Sequence, residues 1–339
     1  MCIIDRPHTP QALELMNAAS RGSRPLKITS YPRNNVAIEL VSNFELSEEQ
    51  RMIQQSVERF VEDNYDLKSR VALSSSSPGF STEHWHSMAE LGWLGLPFEE
   101  EDGGFGGNQI DVLVVMEQFG RGLVLEPYLA SIVMGGGALK RGGTDALKSE
   151  ILPQVIEGTL QLAFAYAEEQ SRFDLDDVMT SARKEGENFV LNGQKSMVQN
   201  AETADKIVVS ARTSGGQVGP QGITLFLINA DAEGLSQDNF PTVDGLRASE
   251  ITLENVRVGP DRILGEVDQG FSILQSVAND AMLALSAEAV GAMEVLYKDT
   301  VDYTQQREQF DHPLSEFQVL QHRMVDMFME YEQCKSLLY

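Results

Sequence analysis

Leu160-Gln161-Leu162-Ala163-Phe164-Ala165-Tyr166-Ala167 decides the fold, because the hydrophobic period changes there. The run is short, apolar and bounded by turn residues, so it reads as a strand. Further short apolar segments follow at 179–183, 188–191, 206–212, 222–228 and 250–253. Asn192-Gly193, among them, is the dipeptide favoured in a type I′ hairpin turn. Spacing of this kind predicts a compact antiparallel barrel or sandwich of about 100 residues.

On the N-terminal side of that stretch the period is helical. Ser47 with Gln50 forms a capping box, and Ile53, Val57, Phe60 and Val61 then share one helical face. Helical segments continue over 85–94, 108–119 and 127–156, which together read as a bundle. On the C-terminal side the helical period returns after Gly270. Phe317, Leu320, Met324, Met327, Tyr331, Cys334 and Leu338 recur at alternating spacings of three and four, the seam of a long helix. Tyr339 falls inside this pattern with no closing cap, so the bundle reads as truncated and its seam as exposed. The fold class expected is α+β: a leader at 1–43, an all-α domain at 44–158, an antiparallel β-barrel or sandwich at 159–266, and an incomplete helical domain at 267–339.

Composition narrows the function. Hydrophobic residues make up 42% and charged residues 23% of the 339, a globular balance that excludes global disorder. No apolar run reaches the roughly 18 residues of a membrane span. With 26 basic and 51 acidic residues the formal charge is −25, which argues against binding nucleic acid through its phosphates. The two cysteines, Cys2 and Cys334, cannot make a disulfide framework, and a reducing, cytoplasmic location is expected. The first 43 residues carry four prolines and more basic than acidic residues and read as a disordered leader. Asp5, Glu14 and the missing basic amphipathic helix argue against a targeting peptide.

Isolated motifs carry little chemistry. Gly103-Gly104-Phe105-Gly106-Gly107 follows a run of acids and lacks the Lys-Ser/Thr of a phosphate loop, so it reads as an interhelical turn. His84 and His86 sit two apart and face different ways on a helix, which does not suit a metal. His312 and His322 have no ligand set beside them. Glu168, Glu169, Asp174, Asp176 and Asp177 lack the EF-hand pattern and read as a solvated loop.

Four motifs in order carry more. They are Leu91-Gly92-Trp93-Leu94-Gly95-Leu96-Pro97 running into Asp102-Gly103-Gly104, then Ala165-Tyr166-Ala167-Glu168, then Asn192-Gly193-Gln194-Lys195, and last Gln306-Arg307-Glu308-Gln309-Phe310 with Phe317-Gln318. Together, over about residues 44 to 339, they resemble the acyl-CoA dehydrogenase family. Glu126-Pro127-Tyr128-Leu129 and Ala287-Glu288-Ala289-Val290-Gly291-Ala292-Met293 are similar to the small subunit of its dicarboxyl- or steroid-type, pimeloyl-CoA dehydrogenase-like branch.

The resemblance implies FAD between the β domain and the C-terminal helices. By position, Phe164, Tyr166 and Ala167 would present backbone groups to the ring, and Met197, Val198 and Gln199 would flank its other side. Arg307 would meet a flavin pyrophosphate, that of a neighbouring subunit, with Gln309, Phe310 and Gln318 beside it. The guanidinium fork suits a diphosphate. The implied partners are an acyl-CoA substrate, an electron-transfer flavoprotein and further subunits of a homo- or hetero-oligomer. The implied reaction removes a proton from the α-carbon of the thioester and a hydride from its β-carbon.

Some positions depart from the family. Its usual base lies in a loop beyond the segments present here. The alternative base position falls on Ala281, followed by Met282, and neither side chain moves a proton. Asp280 and Glu288 are the nearby acids. Ala167 lacks a family hydroxyl and Met197 a family aromatic ring. The expectation is therefore a flavin-dependent dehydrogenase chain without its own base. The alternative is a non-catalytic subunit that completes a flavin site on a partner.

Overall fold

A computed structural model describes residues 46–339. The leader expected at 1–43 lies outside the described residues.

Helix α1 (Glu48–Asn64) starts at the expected box, with Ser47 and Gln50 capping one another, and buries Val57 and Val61. Helix α2 (Leu67–Ser74) is capped by Asp66, and α3 (Thr82–Glu90) by Ser81, with Trp85 and Met88 turned inward. Helix α4 (Gln109–Gly122) is the centre of this half. Asn108 and Asp111 box its start, and every residue from Asp111 to Gly120 is buried, so it is surrounded on all sides. A π-helical segment (Tyr128–Gly136), α5 (Gly137–Gly142) and α6 (Asp145–Ile156) complete the half. Rings of Phe60, Trp93, Phe119 and Tyr128 meet edge to face at 5.3, 6.2 and 5.5 Å, a preferred arrangement of aromatic quadrupoles.

The chain then enters a sheet that, among the described residues, has eight strands. These are β1 (Leu162–Ala165), β2 (Ser181–Glu185), β3 (Asn188–Gln199), β4 (Lys206–Arg212), β5 (Ile223–Asn229), β6 (Leu235–Pro241), β7 (Arg247–Val258) and β8 (Ile263–Leu264). Their order is β6-β7-β3-β2-β4-β5-β8, with β1 added to β4. Pairing is antiparallel as expected except that β1 runs parallel to β4 along its length, and β2 touches β4 in parallel at Ser181 and Arg212.

Asn192-Gly193 is not a hairpin turn. It lies inside β3, at a register shift between Leu191 and Gly193 in the pairing with β7. The turn between β2 and β3 is made instead at Gly186, whose φ is +65°. Glycine is needed at 193 for a different reason: a Cβ there would stand 2.5 Å from Thr180 Oγ1. A bulge and a turn call for the same residues, which is why the dipeptide misled. Strand β6 was not expected, because Ser236, Gln237, Asp238 and Asn239 hide its alternation. It is the mostly exposed edge of the sheet.

Helix α7 (Phe271–Gln306) runs 36 residues. Its buried face carries Ala281, Ala284, Ala287 and Gly291, small residues that admit α4 closely. At the crossing a Cβ on Gly120 would overlap the Glu288 carbonyl, and one on Gly291 the Glu117 carbonyl. Strands β9 (Glu308–Gln309) and β10 (His312–Pro313) form a hairpin whose two loop residues, Phe310 and Asp311, have φ of 58° and 63°, the type I′ signature.

Helix α8 (Gln318–Leu338) follows. The expected seam is not its exposed side. Tyr331 is buried with its ring 5.1 Å from that of Tyr297, Lys335 Nζ donates to Glu117 Oε1 at 2.7 Å, and Tyr339 OH donates to Glu117 Oε2 at 2.7 Å. The seam therefore turns toward α7 and α4. Val319, Val325, Phe328, Met329 and Leu337, outside the seam, are the exposed large apolar residues of the helix. Among the described residues no helix is long and apolar enough to cross a membrane.

Candidate functional site

The site begins where β1 ends. Tyr166 and Ala167 follow the last residue of β1, and Glu168 then turns inward. Glu168 is not part of a solvated loop. Its carboxylate accepts from Lys195 Nζ at 2.7 Å, Met179 N at 2.8 Å, Thr180 N at 3.1 Å and Gln170 Nε2 at 2.8 Å. Lys195 Nζ also donates to Ser210 Oγ at 3.0 Å and to the Tyr166 carbonyl at 3.3 Å. The two side chains are 0% and 3% exposed, so this is a buried ion pair. Burial opposes the charge on Glu168, but Lys195 and the surrounding donors outweigh it and hold the carboxyl below its ordinary range. Burial draws Lys195 down to about 8 against the pull of Glu168.

That pair ties the end of β1 to β3. Ser196 N donates to the Ala167 carbonyl at 2.9 Å and completes the tie. Between Lys195 and Val198 the pairing of β3 with β7 shifts again, and Met197 takes a φ of 54°. A non-glycine residue in the left-handed region is strained and is held by its surroundings. Here Glu250 holds it, accepting from Ser196 Oγ at 2.8 Å and from Met197 N at 3.3 Å. The bulge leaves Met197 53% exposed beside the ends of two strands. A cleft opens next to it, lined by Glu168, Met179, Thr180, Gly193, Ser196 and Glu250.

The other expected residues divide between the interior and a distant surface. Phe164 is buried in β1 with its ring 5.7 Å from that of half-buried Tyr166, and Val198 is buried in the sheet. Gln199, just past the bulge, lines a cavity with Tyr128, Leu129, Arg247, Leu285 and Glu288. The structure thus brings 164–167 and 197–199 together. It does not bring Arg307, Gln309, Phe310 and Gln318 to them. Arg307, Gln309 and Phe310 are exposed on the turn between α7 and α8 and Gln318 is exposed at the start of α8, and among the described residues no hydrogen bond, ion pair or shared cavity links them to the strand ends.

On α7, Ala281 is 7% exposed and Met282 is 59% exposed. Asp280 is engaged by Arg141. Glu288 faces the cavity, and burial, with Asp244 adding to it and Arg70 opposing, raises its carboxyl above the ordinary range. Among the described residues no group of three or more His, Cys, Asp and Glu could hold a metal.

The residues present fit a flavin. A flat heteroaromatic ring needs an apolar contact and fixed backbone along one edge, and the clamped bulge with exposed Met197 offers both. A diphosphate needs a free cation, and the Arg307 side chain makes no ion pair among the described residues. The sequence pattern alone does not show the support for this site: Lys195 and Glu168 stand in it as members of two separate motifs, Glu168 also as one of a cluster of acids, and Glu250 as the first residue of a strand.

The family model described as the acyl-CoA dehydrogenase N-terminal domain matches residues 47–159, that for the middle domain 163–256, and that for the C-terminal domain 268–339. "Probable acyl-CoA dehydrogenase YngJ" of Bacillus subtilis is 30% identical over 301 residues, which cover 87% of this chain and 79% of that protein. The caffeyl-CoA reductase-Etf complex subunit CarC of Acetobacterium woodii is 28% identical over 298 residues, covering 86% of this chain and 78% of its own. The solved FAD complex of PigA superposes with a TM-score of 0.81 at 27% identity, covering 88% of this chain and 79% of that one.

Proposed function

This chain belongs to the acyl-CoA dehydrogenase family, and from that premise we propose that it is the flavin-binding chain of an FAD-dependent dehydrogenase acting on the α,β C–C bond of an acyl-CoA thioester. The observation that carries the reading is the bulge at Ser196 and Met197, clamped by Glu250 and tied to the end of β1 by Lys195 and Glu168. When bound, FAD accepts the hydride equivalent from the β-carbon.

In this proposal Tyr166 and Ala167 orient one edge of the ring, Met197 and Gln199 cover its face, and Arg307 holds a pyrophosphate, that of a neighbouring protomer. The exposure of Arg307 on the far turn supports the last assignment. Methionine in place of an aromatic ring forfeits on the order of 1 kcal/mol of stacking and keeps an apolar, polarisable contact.

The α-proton needs a carboxylate acceptor, since a thioester α-carbon is only weakly acidic. Buried Ala281 and exposed Met282 offer none at the family's alternative position. Asp280 is committed to Arg141. We therefore assign the acceptor to a group outside the described residues or to a partner chain. The same observation favours a second reading, a non-catalytic subunit that completes a flavin site. Electrons leave to an electron-transfer flavoprotein, an assignment supported by the name of CarC as a subunit of an Etf complex. The exposed apolar residues of α7 and α8, among them Leu285, Leu296, Val325 and Met329, support association into an oligomer.

Anaerobic mixing of the FAD-loaded chain with a panel of acyl-CoAs, followed at the flavin absorbance, tests the proposal. Tight binding without rapid bleaching is expected. Rapid bleaching would place a base within this chain and make Glu288 and Asp280 the first residues to replace.

A further inference from the structure

The cavity shared by Gln199 and Glu288 starts two residues past the exposed Met197 of the bulge, and its walls are mostly apolar, among them Phe80, Met116, Phe119, Tyr128 and Leu285. Three separate stretches of chain complete it: Pro78 to Phe80 after α2, Val124 to Ala130 past the end of α4, and Asp244, Leu246 and Arg247 at the turn from β6 to β7. Its volume is about 110 Å³. An apolar cavity of about 150 Å³ takes a benzene ring, six carbons, so this one has room for roughly four.

The β6–β7 turn is the outer wall. Val243 and Asp244 at its tip are exposed, while Leu246 and Arg247 behind them line the cavity, so the turn stands between the cavity and solvent. Among the described strands β6 pairs only with β7, at the edge, so the sheet itself does not fix the tip. Two arginines tie it to the helical half. Arg70 on α2 forks, its Nε donating to the Leu123 carbonyl at 2.7 Å and its Nη2 to the Asp244 carbonyl at 2.6 Å. Arg247 Nη2 donates to the Ser76 carbonyl at 2.7 Å. Leu123 has a φ of 51°, so the fork also holds a strained residue. Of the two apolar side chains at the tip, Leu246 packs against the core and Val243 is exposed. An acyl chain longer than the space must push a wall outward. Phe80, Met116, Phe119 and Tyr128 are buried in the packed helical half, which resists displacement. The turn, held by a few hydrogen bonds and one leucine, is the wall that yields.

Resting on the dehydrogenase reading above, we propose that the β6–β7 turn, latched by Arg70 and Arg247, limits this chain to short acyl-CoA substrates of about four to six carbons, with Arg70 as the positioning residue that sets the limit. Arg70 acts through the two carbonyls that it bridges and touches no substrate. A lysine there keeps the charge near Glu288 and Asp244 but, as a single ammonium, cannot bridge both carbonyls as the fork does.

Calorimetric titration of the FAD-loaded chain with butyryl-CoA, hexanoyl-CoA and octanoyl-CoA tests it without turnover. An unrestricted apolar slot would gain about fourfold in affinity per added methylene. The parent should gain from butyryl to hexanoyl and nothing from hexanoyl to octanoyl. Arg70→Ala and Arg70→Lys should each tighten octanoyl-CoA at least about fivefold and leave butyryl-CoA within about twofold of the parent. A parent that binds octanoyl-CoA about fifteenfold more tightly than hexanoyl-CoA would overturn the inference without any variant and leave the dehydrogenase reading standing. Arg70 variants that keep the parent's chain-length profile would overturn it as well. Binding of none of the three would overturn both.

Discussion

Replacing Lys195 by Met isolates the buried pair on which the site is built. The ammonium is 0% exposed and donates to Glu168, Ser210 and the Tyr166 carbonyl. Its loss leaves a carboxylate, itself 3% exposed, held only by Met179 N, Thr180 N and Gln170 Nε2. Breaking one side of a buried pair costs about 3–5 kcal/mol, because the remaining charge is uncompensated. The three surviving donors place Lys195→Met near the lower end. At about 2–3 °C per kcal/mol for a chain of this size, Tm should fall by roughly 6–9 °C. Urea unfolding at pH 7 measures the change directly. Adding Glu168→Gln to Lys195→Met should recover much of the loss, since the stranded charge is then removed. A single-variant loss below about 0.5 kcal/mol, or a double variant no better than the single, would refute the reasoning.

Glu288 gives a pH test. Its folded pKa is raised above the unfolded value, so the folded state holds a proton that the unfolded state releases as pH climbs, and stability falls through that window. Glu288→Gln should therefore raise Tm at pH 7 and match the parent at pH 4, read by thermal scans at both. Gly291→Ala forces a methyl into the Glu117 carbonyl across the α4–α7 crossing and should destabilise by on the order of 1–3 kcal/mol in urea unfolding. Arg307→Ala should leave the Tm of the FAD-free chain unchanged while weakening FAD binding by about 1.5–3 kcal/mol, measured by flavin fluorescence titration.

The order of helices, sheet and helices was legible because periodicity is a property of the sequence itself, and it changes at Leu160 and again after Gly270. The capping box at Ser47 and strand β4 at 206–212 were readable to the residue for the same reason. What failed depended on partners remote in sequence. Asn192-Gly193 is a turn signal in isolation, but the pairing of β3 with β7 makes it a register shift and the approach of Thr180 requires glycine there. Glu168 reads as one acid among five until Lys195, 27 residues on, reaches it inside the sheet. A lysine a few residues past the apolar run Phe189 to Leu191, with a glutamate closing the run Leu162 to Ala167, was the available signal. The exposed side of α8 was misjudged because the sequence shows a seam but not what lies against it. Here Tyr297 and Glu117 occupy that place.

The most direct test of the flavin site is an FAD titration of the purified chain, followed by its visible absorbance, with and without Glu250→Ala. Glu250 lines the cleft beside Met197 and clamps the bulge by accepting from Ser196 Oγ and Met197 N. One FAD per chain is expected, with Kd raised at least about tenfold in the variant, since charge-assisted contacts of this kind are worth more than 1.4 kcal/mol. Failure to bind FAD, or binding that the Glu250→Ala variant leaves unchanged, would contradict a flavin held by the ends of β1 and β3.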